Sequence, residues 1–284
     1  MSDFVSILGV KGGPAIRPGS NMPTSILVRL GGKTVLVDAG LGVSRGLCDQ
    51  DVRLTEIDMI LITHLHSDHY LELGPLLHTA WTAGLNRKVP IIGPRGLNAY
   101  WAGFLASMKF DIDLRIEDEG RNDLKNLVDI SEIQDGAVYS DENLTIRSMR
   151  NLHPPIVDSF ALRFEAGNRS VVLSGDTAYM PEMSEFARGA DLLVHEAMLT
   201  DGVNALIAGL KNKDDRLKTH ILRSHTSAAD VGRTATEAGV RTLALNHFVP
   251  DGLPGFTDQD WAAAVKSCWS GPLIISKDGQ RIEI

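Results

Sequence analysis

The sequence is poor in cysteine. Cys48 and Cys268 are its only two in 284 residues, too few for a disulfide framework, and both are expected to be reduced thiols of a cytoplasmic protein. Long apolar runs are missing as well. None approaches eighteen residues, so neither a membrane-spanning helix nor a membrane partner is expected. Met1-Ser2-Asp3-Phe4-Val5 carries no basic n-region and runs into a strand pattern, so no signal peptide is expected. Positive charge is in deficit, with 28 Lys and Arg against 36 Asp and Glu, a net charge of −8. That balance argues against a broad nucleic-acid footprint unless basic residues cluster locally. Internal repeats and low-complexity tracts are also lacking. What remains, 43% hydrophobic and 23% charged residues, is enough for a sizeable core and excludes disordered, collagen-like and coiled-coil classes.

Short β-branched runs alternate with helical patterns. Gly31-Gly32 between 25–30 and 33–38 reads as a hairpin turn. Further strands are expected at 59–62, 89–92, 144–150, 160–165, 170–174, 191–195, 242–245 and 273–275. Helices are expected at 67–84, 94–108, 181–188, 227–238 and 258–267. The helix at 227–238 has the clearest start, because Ser227 and Asp230 form a capping box. This interleaving predicts an α/β fold, one domain over 1–284, with helices outside a sheet core. Two acidic or charged stretches, 111–142 and 211–223, read as solvated surface, with Ile and Leu in the first spaced for a small strand-and-helix excursion and the second a candidate pocket lid or dimer element.

Chemistry concentrates at Thr63-His64-Leu65-His66-Ser67-Asp68-His69. Seven positions should hold about 0.2 histidine by chance, and three of the nine histidines are here. An extended chain after a buried strand projects His64 and His66 to one side. Asp68 and His69, at the start of the following helix, turn toward a second point nearby. Imidazole with carboxylate suits Zn²⁺, with Mn²⁺ or Fe as alternatives where oxygen ligands increase. One segment can therefore supply two ligands to each of two adjacent ions.

This motif resembles that of the metallo-β-lactamase superfamily, and the resemblance extends along most of the chain. It implies an αββα sandwich with metals at one edge of the two sheets. It also implies further ligands. His153, in Asn151-Leu152-His153-Pro154-Pro155, resembles the third histidine of the first metal. Asp176, in Ser174-Gly175-Asp176-Thr177, resembles the aspartate that bridges both ions. His247, in Leu245-Asn246-His247-Phe248, resembles the last ligand of the second metal.

Within the superfamily the chain is most similar to the ribonuclease Z, arylsulfatase-like and phosphodiesterase branch. The similarity rests on Leu8-Gly9-Val10-Lys11-Gly12-Gly13-Pro14 with Arg17 and Ser25, Val37-Asp38-Ala39-Gly40, His195-Glu196-Ala197 and Ser224-His225-Thr226-Ser227. Two features depart from ribonuclease Z. Its tRNA-gripping arm has no room between His153 and Asp176, where 154–175 read as two strands joined by Gly167-Asn168. The arginine found near its last ligand is missing after His247-Phe248.

The resemblance implies a dinuclear zinc hydrolase with two ions per subunit, in which a metal-bridging hydroxide attacks an ester-type bond. Asp68 would bind metal and orient the hydroxide. His225 would act as general acid, with Glu196 holding its imidazole in the useful tautomer. The expected substrate is a small anionic phosphodiester or aryl sulfate, and the expected assembly a homodimer. The alternatives are a tRNA 3′-processing endoribonuclease, a lactone or amide hydrolase, an iron-dependent oxidoreductase on the same scaffold, and a binding protein whose metal site has become inactive. Trp81, Trp101, Phe104 and Tyr179 read as core rather than as a pocket, and His78 and His220 as ordinary histidines.

Overall fold

Alternation along the first strands decides the layering. In 4–8, Val5 and Ile7 face one side while Phe4 and Leu8 face the other, and both sides are buried. The same split separates Val28 from Leu27, Val35 from Leu36 and Leu61 from Ile60. A strand apolar on both faces must be covered on both. Here one face packs on a second sheet and the other on helices.

The computed structural model describes residues 3–210 and 214–284. Met1, Ser2 and residues 211–213 of the charged 211–223 stretch lie outside the described residues. The first half of the chain runs β1 (Phe4–Gly9), β2 (Ser25–Leu30), β3 (Lys33–Val37), α1 (Val43–Asp49), β4 (Met59–Leu61), α2 (Ser67–Tyr70), α3 (Leu73–Thr82), β5 (Val89–Gly93), α4 (Leu97–Ser107), α5 (Lys109–Glu119) and β6 (Val128–Glu132). The second half continues through β7 (Gly136–Ser140), β8 (Thr145–Arg150), β9 (Phe160–Ala166), β10 (Arg169–Leu173), α6 (Glu182–Phe186), β11 (Leu192–Met198), α7 (Thr200–Ala208) and α8 (Arg216–Ser224). It ends with α9 (Ala228–Ala238), β12 (Thr242–Val249), α10 (Asp258–Lys266), β13 (Leu273–Ile275) and β14 (Gln280–Glu283).

Among the described residues these strands form two seven-stranded sheets, ordered β14-β1-β2-β3-β4-β5-β6 and β13-β12-β11-β10-β9-β8-β7. Each sheet is antiparallel over four strands, β14-β1-β2-β3 in one and β7-β8-β9-β10 in the other, and parallel from β3 to β6 and from β10 to β13. Helices α1, α3, α4 and α5 cover the outer face of the first sheet, and α9 and α10 that of the second. The result is the expected α/β sandwich. Parallel strands present their C-terminal ends along one edge, where α/β sheets place ligands.

Four departures from the sequence expectations have physical causes, the first being that Arg216–Ser224, which overlaps the 211–223 stretch read as solvated surface, forms α8, whose Ile221 packs with Met198, Val203 and Val249. The helix expected at 67–84 is broken between Tyr70 and Leu73. Pro75 has no N–H for the carbonyl of Leu71, which instead accepts from the Tyr100 hydroxyl at 3.2 Å. The 111–142 stretch is structured: it continues α5, supplies edge strand β6 to one sheet and crosses to edge strand β7 of the other. Asp129 and Glu132 lie on edge strand β6, where charge protects against further pairing, while five of the other acidic residues line α5. Strand β12 extends past Leu245 to Val249 and carries His247 within it. By contrast, β9 and β10 are the expected hairpin, and Ser227 caps α9 by accepting from the Asp230 N–H at 3.2 Å. Trp81 and Trp101 are buried in the outer layer, as their spacing implied.

Candidate metal centre

The loops that follow β3, β4, β8 and β10, together with β11 and β12 themselves, bring their polar side chains to one point on this edge. His64 and His66 come from the extended link after β4, and Asp68 and His69 from α2. His153 follows β8, Asp176 follows β10, Glu196 lies in β11 and His247 in β12. His247 is held there by a bulge. The β11–β12 pairing steps from Glu196–Asn246 to Ala197–Phe248, leaving His247 unpaired with φ +46°. A non-glycine residue in the left-handed region is strained, and such strain concentrates at functional sites.

Donor atoms of His64, His66, His153 and Asp176 all lie within 4.8 Å of one another, as do those of Asp68, His69 and His247. Asp176 joins the groups. Its Oδ2 stands 3.8 Å from His64 Nε2, 3.9 Å from His153 Nε2, 3.3 Å from His69 Nε2 and 3.1 Å from His247 Nε2. In the first group His66 Nδ1 faces both His64 Nε2 and His153 Nε2 at 3.0 Å. A tetrahedral ion with bonds of about 2.1 Å needs ligand separations of about 3.4 Å, so these spacings fit a divalent metal.

Hydrogen bonding on the far side of the rings points the same way. His69 Nδ1 meets Asp38 Oδ2 at 2.7 Å, and His153 Nδ1 meets the Ser224 carbonyl at 2.9 Å. In each ring the Nδ1 proton is donated outward, and Nε2 keeps a lone pair directed at the cluster. His69 Nε2 is buried with no hydrogen-bond partner, a cost that a cation would relieve. Asp38 is fixed in turn by the Thr63 N–H at 2.8 Å. Burial pushes His153 down to about 4 and His64 well below the usual histidine range, so both are neutral at pH 7. Burial would raise Asp68, but His69 and His247 hold it ionised below the usual carboxylate range. Burial would lower His69, but the carboxylates of Asp176, Asp38 and Asp68 around it push it well above the usual histidine range, so a metal bound there would displace a proton from that ring.

Beside the cluster, Glu196 Oε2 lies 3.3 Å from His225 Nδ1, while Oε1 accepts from the N–H groups of Thr226 (2.8 Å) and Thr177 (3.3 Å). A carboxylate held by two backbone donors is a fixed anchor for the imidazole. His225 also forms a donor group with Asp176 and His247. A cavity of about 750 Å³ opens over the cluster, with His66, Asp68, Asp176, His225 and His247 in its wall. Every candidate residue expected from the sequence is therefore at this one place. Asp38, Lys11 and His220 also belong to it: in the sequence Asp38 is one residue of a short strand-aspartate-glycine motif, Lys11 one of a glycine-rich loop, and His220 carries no motif. His220, on α8, lines the cavity with its ring 5.7 Å from that of His66. No local pattern marks it, because only the packing of α8 brings it there. His78 pairs instead with Asp111 at 2.8 Å, remote from the cavity wall.

Two sheets between helices with a histidine–aspartate cluster on one edge define a metal-dependent hydrolase of the metallo-β-lactamase fold. Comparison with known proteins agrees. The family model of the anti-Pycsar protein Apyc1 matches residues 5–247. Ribonuclease Z of Mycolicibacterium gilvum is 34% identical over 283 residues, covering 99% of this chain and 96% of that protein. Among solved structures, the metallo-β-lactamase fold protein YhfI of Bacillus subtilis superposes over 100% of both chains with a TM-score of 0.72 at 23% identity. Human tRNase Z, short form, does so over 99% of both with a TM-score of 0.70 at 20% identity. The chain belongs to the metallo-β-lactamase superfamily, on the branch that holds the ribonucleases Z and the family of the anti-Pycsar protein Apyc1. Its cofactor is a divalent metal.

Proposed function

We propose that the protein is a dinuclear zinc phosphodiesterase of the ribonuclease Z type, hydrolysing an RNA phosphodiester bond. The observation that carries the reading is Asp176, whose Oδ2 stands within 3.9 Å of four imidazole nitrogens from two donor groups. Full-length similarity to a ribonuclease Z supports RNA over the small anionic phosphodiester or aryl sulfate expected from the sequence. In this reading His64, His66 and His153 hold one ion, Asp68, His69 and His247 the other, and Asp176 both. The nitrogen-rich donor set suits zinc. Two such ions supply Lewis acidity for a phosphoryl centre and acidify water at neutral pH.

The remaining chemistry falls to the chain. Asp38 and the Ser224 carbonyl keep His69 and His153 in the tautomer that presents Nε2. Asp68 Oδ2, steadied by the Gly13 N–H at 2.8 Å, orients the attacking water. Glu196 holds His225 by Nδ1, leaving Nε2 to hand a proton to the departing oxygen.

A second reading, a small phosphodiester as substrate, is favoured by one observation: β9 and β10 fill the interval between His153 and Asp176 as a plain hairpin, without an RNA-gripping arm. Hydrolysis of a precursor tRNA transcript and of bis(p-nitrophenyl) phosphate separates the two. Cleavage of the transcript at its 3′ side, with salt-sensitive binding, supports the first reading. Turnover of the small diester alone supports the second, and turnover of neither contradicts both. A cytoplasmic setting and a homodimer, as expected from the sequence, belong to the same proposal. Leu217 and Leu222 leave apolar surface exposed on α8 for such a contact.

A further inference from the structure

Lys11 is buried, 4% exposed, in the wall of the metal cavity. It follows β1 and is fixed by its backbone, whose N–H donates to the Met22 carbonyl at 2.9 Å. Its ammonium donates to the carbonyls of Gly12 at 2.7 Å and Gly13 at 3.1 Å. An ammonium has three donors, and these bonds use two. Among the described residues no carboxylate lies within ion-pairing distance. Asp251 and Asp68 act on it only through space. Burying a cation without a partner is costly, and two neutral carbonyls could be tied as well by an uncharged donor. The charge therefore needs another explanation, and its position supplies one. Gly13, which accepts from Lys11 through its carbonyl, donates through its N–H to Asp68 Oδ2, so the ammonium stands one residue from the donor cluster.

We propose that Lys11 binds an anionic phosphoryl oxygen of the substrate with its third donor, holding the group against the metal-binding edge. The inference rests on the phosphodiesterase reading only for the identity of the anion. Arg17, further out on the same cavity wall, is exposed and meets an approaching anion in water, where it is worth less. A buried ammonium with one unused donor is already desolvated and oriented, so its hydrogen bond to an anion is made without that cost.

The test is titration calorimetry of inorganic phosphate into metal-loaded wild-type protein, Lys11→Met and Lys11→Gln, with metal content measured in each. Gln keeps a donor for the glycine carbonyls but carries no charge. Both variants should retain their metal and bind phosphate about tenfold to a hundredfold more weakly, the range for a hydrogen bond to a charged group. With bis(p-nitrophenyl) phosphate, KM should rise more than kcat falls. Phosphate affinity within twofold of wild type in Lys11→Gln overturns the proposal, as does a wild-type protein that binds no phosphate. Loss of metal together with affinity in both variants also overturns it, since Lys11 would then only brace the loop. Should wild type bind phosphate but cleave no diester, the phosphodiesterase reading fails while the role of Lys11 is still decided.

Discussion

His225 shows how one side chain acquires a role from its surroundings. Burial disfavours its charged form, but the Glu196 carboxylate at 3.3 Å outweighs this and raises the imidazole above the usual histidine value. A raised value favours the protonated ring, the form a general acid needs. Activity should then be lost as pH climbs through that value. We expect His225→Ala to keep its metal and lose about 10²-fold or more in kcat. Glu196→Gln should move the alkaline limb of the kcat–pH profile to lower pH, because the anion that favours the charged ring is gone. An unmoved limb would remove Glu196 from this role. The contrast with Lys11 and His220 marks what a sequence can disclose. His225 sits in a short pattern beside a helix cap, whereas those two reach the cavity through contacts with elements far along the chain.

At the scale of elements, the site depends on how closely its loops approach one another. Gly40, just past β3, has no room for a side chain: a Cβ there would come within 2.6 Å of the Asp68 carbonyl and 2.7 Å of that of Thr24. Gly40→Ala must displace the α2 backbone that carries Asp68 and His69. We expect a folded protein with weakened metal affinity, measured by competition with a chelator. Wild-type affinity would show that the loops yield. Ser227→Ala should act elsewhere, lowering stability by about 1 kcal/mol through loss of the α9 cap, with metal affinity unchanged. The cap was legible because it is local, as were the β2–β3 and β9–β10 hairpins with their glycine turns. The break before α3 was a matter of Pro75 overriding an apolar periodicity. The spacing of Ile and Leu in 111–142 allowed a strand and a helix to be read, but not that β6 would join β5 across two intervening α-helices while β7 pairs with the next strand, β8, of the other sheet.

Across the whole molecule, the two sheets bring ligands from His64 to His247 to one edge, and that edge gains by holding a cation. Metal bound to the folded state alone adds about 2.7 kcal/mol at a hundredfold excess over Kd. Chelation should accordingly lower the melting temperature. The histidine-rich segment could be read from the chain, and the resemblance supplied the later candidates His153, Asp176 and His247, because the fold fixes where strand ends meet. The resemblance implied that Asp176 serves both ions, and the packing sets its Oδ2 within 3.9 Å of four imidazole nitrogens. This shared use is tested most directly by elemental analysis of purified wild-type protein and Asp176→Ala. We expect two divalent ions per chain in the first, and loss of metal with a lowered melting temperature in the second. Two ions retained without the Asp176 carboxylate would contradict the arrangement described here.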